Sequence, residues 1–140
     1  MYNFIKNKVE ERQITLDDIK NVEEKFKIQF PKKLVEFLLE YNGAEIFLCE
    51  IVKNDVAYEV AALIPVKYGK LPVEKIMEWN KMDGIIREAL IPLARDRGGN
   101  IYYIDSISGE ILLHFSDDYY NPKQISTDFQ SFLKKISICE

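Results

Sequence analysis

Apolar residues between positions 16 and 41 recur every three to four residues, which is the spacing of one face of an α-helix. The first stripe consists of Leu16, Ile19, Val22 and Phe26, and the second of Leu34, Phe37, Leu38 and Tyr41. Thr15 suits the N-cap of the first helix because its hydroxyl can accept a hydrogen bond from the amide of Asp18. Pro31 suits the start of the second helix, and Asn42-Gly43 suits its end. The pattern predicts two consecutive helices.

The spacing of apolar residues shortens after position 44. Two apolar runs, 45–52 and 56–64, flank Lys53-Asn54-Asp55, and this arrangement is typical of a β-hairpin. Further strands are predicted at 89–94, 101–105 and 110–115. Between the first two of these lies Gly98-Gly99-Asn100, whose residues tolerate a positive φ and therefore predict a tight turn. The segment DDYYNPKQ (117–124) is predicted to be a loop.

Two more helices complete the predicted set. One runs from Pro72 to about Met82 and closes at Asp83-Gly84, and the other follows a cap at Ser126 or Thr127. Hairpins rather than helical crossovers join consecutive strands, which favours an antiparallel sheet. We therefore expect an α+β fold over residues 1–140, as a single domain with a mostly antiparallel central sheet of about five to six strands and about four flanking helices.

Composition places the chain among ordinary globular proteins. It has 140 residues, of which 47% are hydrophobic and 30% charged. Its apolar runs stay below the roughly 18 residues that a membrane span needs, and charge appears early at its N-terminus, so we expect a cytoplasmic protein without a membrane association. Cys49 and Cys139 match no metal or redox spacing, and two free thiols are expected.

Acidic residues concentrate in two windows of the chain. Residues 36–59 and 100–122 together carry a charge of −9 and the rest carries +5, which gives the net charge of −4. A negative net charge argues against a surface that tracks nucleic acid directly. A solvated acidic surface and a partner-binding surface are both compatible with these windows.

A catalytic constellation is not evident in the sequence. His114 is the only histidine, no GxSxG motif supplies a nucleophile, and the cysteines lack a neighbouring histidine. Neither a zinc nor a calcium ligand spacing is present, and no glycine-rich nucleotide motif accompanies RDRGG. We therefore expect no enzyme activity, no metal and no cofactor. An enzyme that uses a cleft near His114 and Asp105 remains as an alternative.

Three segments resemble the SUKH superfamily, which includes the yeast Smi/Knr cell-wall regulators and many bacterial immunity proteins. They are ITLDDIKNVEEKFKIQFPKKLVEFLLEYNGAEIF (14–47), IPLARDRGGNIYYIDSISGEILLHF (91–115) and ISTDFQSFLKKI (125–136). Ala44 departs from the pattern, since the family often has a second glycine there. The resemblance implies an α+β fold and a binding protein without catalysis. In bacteria it implies neutralisation of a cognate toxin, often a nuclease, and the alternative is a cytoplasmic regulatory scaffold that binds another protein.

The acidic windows supply a candidate partner-binding surface for such a protein. If the two hairpins belong to one sheet, their acids can converge into one negative patch edged by tyrosines, which are favoured at interfaces. The candidate partner-binding residues are Glu45, Glu50, Asp55, Glu59, Asp105, Glu110, Asp117, Asp118, Tyr119 and Tyr120. The expected partner is a toxin protein, possibly a nuclease domain, and the sequence leaves the oligomeric state open.

Overall fold

The structure is a computed structural model that describes residues 2–137. The helices are α1 (Leu16–Phe26), α2 (Lys32–Tyr41), α3 (Val73–Asp83) and α4 (Phe129–Ser137), and a short 3-10 helix spans Glu10–Arg12. The cap predicted for α1 is confirmed, because the Thr15 hydroxyl accepts from the Asp18 amide while the Asp18 carboxylate accepts from the Thr15 amide. Gly84 ends α3 in the left-handed conformation, as predicted.

The strands form a five-stranded sheet and two smaller ones. They are β1 (Ile5–Asn7), β2 (Glu45–Ile46), β3 (Cys49–Lys53), β4 (Val56–Val60), β5 (Ala62–Leu63), β6 (Leu90–Arg95), β7 (Ile101–Asp105), β8 (Ile111–Phe115) and β9 (Asp118–Ser126). The central sheet has the order β5-β6-β7-β8-β9, and every pair in it is antiparallel. β1 pairs with β2, and β3 pairs with β4. The expected α+β class and its antiparallel sheet are confirmed.

Helices cover both faces of the central sheet. Successive residues of β7 point to opposite faces, so Tyr102 and Tyr103 enter two different layers of the core. The ring of Tyr102 contacts Phe132 of α4 at 5.8 Å between centroids. The Tyr103 hydroxyl accepts a hydrogen bond of 3.1 Å from Asn80 of α3. Both tyrosines are buried, and the strand is therefore apolar on both sides rather than on one.

Asn42, at the end of α2, joins three distant segments through its buried side chain. Its amide nitrogen donates to the carbonyls of Arg12 and Val66, at 2.7 and 3.0 Å, and its amide oxygen accepts from the Val66 backbone at 2.8 Å. Gly43 follows with φ +71°, and a Cβ there would lie only 2.6 Å from the Arg12 side chain. The predicted helix end is confirmed, and it is also a bridge between the N-terminal segment and the chain that follows β5.

Several predicted elements differ from the observed ones. The run 45–52 is divided between β2 and β3, and the run 56–64 between β4 and β5, so the first hairpin forms its own sheet instead of joining the central one. The premise that both hairpins share a sheet is therefore wrong. The cap of α4 is Asp128, whose carboxylate accepts from the Ser131 amide at 2.7 Å, rather than Ser126 or Thr127.

The predicted loop 117–124 belongs mainly to β9, the edge strand of the central sheet. The prediction was wrong because these polar residues are exposed along an edge, where a strand needs no alternating apolar face. Their ladder with β8 is irregular. Five residue steps of β9, from Asp118 to Lys123, oppose two steps of β8, from Phe115 to Leu113, so the intervening residues bulge outward.

The predicted turn between β6 and β7 is confirmed. Gly99 has φ +87°, and the carboxylate of Asp96 accepts hydrogen bonds from the backbone and side-chain nitrogens of Asn100 at 2.8 and 2.7 Å. A glycine is needed at position 99 because residues with a side chain rarely adopt this backbone conformation. Gly98 has no such requirement, since a Cβ there would make only ordinary contacts.

Replacing Gly99 with Val should lower the free energy of unfolding by about 1–3 kcal/mol, because a β-branched residue is strained at this φ. Gly98→Ala is the matched control and should change the stability by less than about 0.5 kcal/mol. Chemical denaturation of both variants measures the difference. Equal stabilities would contradict the assigned backbone conformation.

Replacing Asn42 with Ala should lower the free energy of unfolding by about 2–4 kcal/mol, since it leaves the Val66 amide and two carbonyls without their partners. Asn42→Asp should also destabilise the fold, because it keeps the acceptor but loses both donated hydrogen bonds. Asn121→Ala, at an exposed position, serves as the control. An Asn42→Ala variant as stable as this control would show that the bridge contributes little.

Candidate protein-binding surface

Two turns meet at one end of the central sheet. They are the β6–β7 turn (96–100) and the β8–β9 turn (116–117). The side-chain oxygen of Asn100 accepts a hydrogen bond of 2.8 Å from the Ser116 backbone, which fixes one turn against the other. Because Asn100 also binds Asp96, a single asparagine organises both turns. The segment RDRGG (95–99) therefore forms the turn that its glycines led us to predict. Its polar side chains form hydrogen bonds within the protein.

The β3–β4 hairpin joins the same end through Arg97 and Glu59. The guanidinium of Arg97 donates to the Glu59 carboxylate at 2.8 and 3.0 Å, and the Arg97 backbone donates to it at 2.7 Å. These hydrogen bonds hold the pKa of Glu59 below its usual value. Tyr102 reinforces the junction, since its hydroxyl donates to the Glu59 carbonyl at 2.6 Å.

Carboxylates dominate this end of the molecule. Glu50 lies directly opposite Glu59 in the hairpin, and Asp117 and Asp118 follow β8. We call this the acidic surface; its acids are Glu50, Glu59, Asp96, Asp117 and Asp118. Two cations from outside both acidic windows also lie at this end. Arg97 binds Glu59, and Arg95 donates a hydrogen bond of 3.5 Å to the Asp96 carbonyl. The surface therefore keeps an excess of negative charge, although a smaller one than the windows predicted.

Apolar side chains on the outer face of the hairpin accompany the acids. The inner face is buried through Cys49, Ile51 and Val60. By alternation, Leu48, Glu50 and Val52 share the outer face, on which Val52 is 71% exposed. The sequence prediction missed this apolar component, because the hairpin was expected within the central sheet. The signal was present: both faces of the run 45–52 carry large apolar residues.

The bulge of β9 presents the predicted tyrosines near the same end of β8. Tyr120 is 79% exposed and Tyr119 is 42% exposed. The backbone carbonyl of Tyr119 accepts from Nδ1 of His114 at 3.0 Å. Since a carbonyl only accepts, Nδ1 must carry the proton, and neutral His114 has its lone pair on the buried Nε2, which has no hydrogen-bond partner in the described chain. His114 thereby holds the bulge in place.

The remaining predicted partner-binding residues lie elsewhere. Glu45 belongs to β2, where its carboxylate accepts from the Asn7 side chain, and Asp55 lies in the hairpin turn with φ +64°. Glu110 precedes β8 whereas Asp117 follows it, so these two residues are about 20 Å apart along the strand. The structure therefore gathers Glu50, Glu59, Asp117, Asp118 and the two tyrosines, and separates Glu45 and Glu110 from them.

Asp105 is buried and supports the β7–β8 turn. Its carboxylate binds Arg87 at 2.9 Å and accepts from the Ile107 and Ser108 amides. Burial alone would raise the pKa of Asp105, but these amides and Arg87 outweigh it and hold the pKa below its usual value. The sequence could not distinguish this internal carboxylate from a surface one. Asp105 and His114, the two residues of the alternative enzyme hypothesis, are both buried.

Residues 2–137 contain neither a metal-binding cluster nor a membrane-spanning helix. No group of three or more histidine, cysteine, aspartate or glutamate side chains is arranged there to hold a metal ion. No helix in that part of the chain is both long and apolar enough to cross a bilayer. Cys49 is buried, and Cys139 lies outside the described residues.

The burial of His114 generates a prediction about pH. Burial lowers the pKa of the imidazole from its usual 6.5, although the hydrogen bond to Tyr119 opposes the shift. As the pH falls below 6.5, the imidazole of His114 takes up a proton in the unfolded chain but stays neutral in the folded chain. The free energy of unfolding should therefore decrease with falling pH until the folded-state pKa is reached, and this contribution should be absent above 6.5.

Nuclear magnetic resonance titration of this single histidine should give a midpoint below 6.5. Denaturation at several pH values should show that the free energy of unfolding of the native chain declines more steeply below pH 6.5 than that of His114→Phe. The carboxylates titrate in both proteins, so the difference between them reports the histidine. A midpoint at or above 6.5 would contradict the assigned environment.

Comparison with known families gives one match. The family model of the SMI1 / KNR4 family (SUKH-1) matches residues 13–135. A comparison with curated proteins gives no significant match. The matched residues run from the segment before α1 into α4, so they include all the elements that build the acidic surface. The chain belongs to the SMI1 / KNR4 family (SUKH-1).

Proposed function

We propose that this chain is a non-catalytic, cytoplasmic immunity protein that neutralises a cognate toxin by binding it through the acidic surface. Family membership supports a protein-binding domain of the immunity or SMI1 / KNR4 kind. The observation that carries the proposal is the junction of the hairpin with two turns of the central sheet, which places acids beside exposed apolar and tyrosine side chains.

The surface has the composition of a binding site for a basic protein. Interfaces with high affinity combine apolar or aromatic anchors with a charged rim. Val52 and Tyr120 supply exposed anchors, and Glu50, Asp117 and Asp118 supply the charge. A nuclease domain is a suitable partner, because a cleft that attracts phosphates is positively charged, and an acidic protein competes for the same field.

The acids and the anchors should affect binding differently. Exposed charges at the rim mainly increase the association rate through electrostatic steering. Anchors that become buried mainly slow dissociation. The rigid links from Arg97 to Glu59 and from Asn100 to Ser116 fix the surface before it meets a partner, which lowers the entropic cost of binding.

A cytoplasmic regulatory scaffold is the second candidate function, and the family match favours it as well. The two functions differ in the partner rather than in the physics of binding. Co-purification with the product of the adjacent gene distinguishes them. A toxin recovered in a stable complex supports immunity, and recovery of the chain with an endogenous cellular enzyme or structural protein instead supports the scaffold.

Reversing three charges of the acidic surface should slow association with the toxin. The triple variant Glu50→Lys, Asp117→Lys and Asp118→Lys should lower the association rate about tenfold at low salt, with a smaller effect at high salt. It should also reduce protection of cells, while the fold survives because exposed charges contribute little stability. Binding kinetics at two salt concentrations provide the measurement.

The matched control is Glu10→Lys, Glu11→Lys and Glu24→Lys, which makes the same change in net charge at exposed positions outside the acidic surface. Equal reductions in both triple variants would mean that net charge alone steers association. An unchanged association rate in the first variant, with protection intact, would place the interface elsewhere.

A further inference from the structure

A second surface lies at the opposite end of the central sheet. A groove of about 580 Å³ opens between the C-terminal end of α1, the helix α3 and the β7–β8 turn. Its apolar lining consists of Phe26, Ile28, Met77, Ile86, Leu90 and Ile107. The five residues of β7 separate this end from the acidic surface, a distance of about 15 Å or more.

Exposed apolar side chains lie at the groove and near it along the chain. Ile107, in the β7–β8 turn, is 87% exposed. Met82 and Ile85, on the segment that leads from Lys81 to Ile86, are also exposed. Exposed apolar side chains at a groove are characteristic of a site that receives a polypeptide.

Basic side chains outnumber acidic ones in the lining of the groove, in contrast to the whole protein. Lys27, Lys81 and Arg87 line the groove together with one acid, Glu88. Neither lysine forms an ion pair with another residue in the range 2–137. Arg87 is paired with buried Asp105 at 2.9 Å and lies 4.0 Å from the Glu110 carboxylate, so Lys27 and Lys81 supply the positive charge that a partner would meet.

We propose that this groove is a second docking site, which binds an acidic amphipathic segment of a partner protein. Apolar side chains of the segment would fill the groove between α1 and α3, and its carboxylates would face Lys27 and Lys81. Grooves between helices commonly receive the apolar face of another helix. The same segment would be repelled by the acidic surface, so the two sites select partners of opposite charge and can be occupied together.

The proposal does not depend on the identity of a toxin and can be tested with synthetic peptides on the full chain. One probe is a helix of about four turns with Leu at i, i+3, i+4 and i+7 and Glu elsewhere. The other has Lys in place of each Glu. The acidic peptide should shift the backbone amide resonances of groove residues in isotope-labelled protein, and the lysine peptide should leave them in place.

Two variants locate the contacts. Lys81→Glu and Ile107→Ser should each weaken binding of the acidic peptide by at least about fivefold, through lost charge attraction and lost apolar burial respectively. Lys6→Glu makes the same charge change outside the groove lining and should weaken binding by no more than about twofold.

Several outcomes would overturn the proposal. They are the absence of shifts at groove residues, equal binding of the lysine peptide, and equal effects of Lys81→Glu and Lys6→Glu. Binding of the chain to phosphatidylglycerol vesicles but not to the acidic peptide would also overturn it, because the site would then serve a lipid surface. Because both groove positions are exposed, thermal unfolding should confirm that each variant is folded.

Discussion

The buried amide of Asn42 holds the end of α2 to the N-terminal segment and to the chain that follows β5, and the path of the chain into the hairpin depends on this placement. Its three hydrogen bonds reach backbone groups 30 and 24 residues away. A buried amide must satisfy both its donors and its acceptor, so these segments have little freedom to move apart. Gly43 lets the Arg12 side chain cross the same point, and the Arg12 guanidinium in turn donates to the Gly43 carbonyl. The chain then enters β2 and the hairpin from a fixed position.

Most helices and hairpin turns could be predicted from the sequence because their determinants are local. The Thr15 cap, the glycine after α3 and the Gly99 turn each depend on residues within a few positions. Sheet membership is different. The hairpin leaves the central sheet at Ala61, and alternation within 45–64 cannot show which strands will lie beside it. The family resemblance implied the correct fold class but gave no information about binding residues.

The candidate surface could be predicted only in part, for physical reasons that are visible in individual residues. Asp117, in a turn, is exposed, whereas Asp105 is buried because backbone amides and Arg87 compensate its charge. Arg97 joins the surface from a distant part of the sequence through Glu59. The net charge of −4 gives no sign that Lys27 and Lys81 line one groove at the end of the sheet opposite the acidic surface, which only the folded arrangement reveals.

The division of the β3–β4 hairpin into a buried and an exposed face has an evolutionary consequence. Along β3, residues that pack the interior alternate with exposed residues, so a substitution on the exposed face leaves the buried face unchanged. Selection can therefore alter Glu50 or Val52 repeatedly while Cys49 and Ile51 preserve the scaffold. The chemistry of the exposed face can in this way change by single substitutions without loss of foldability.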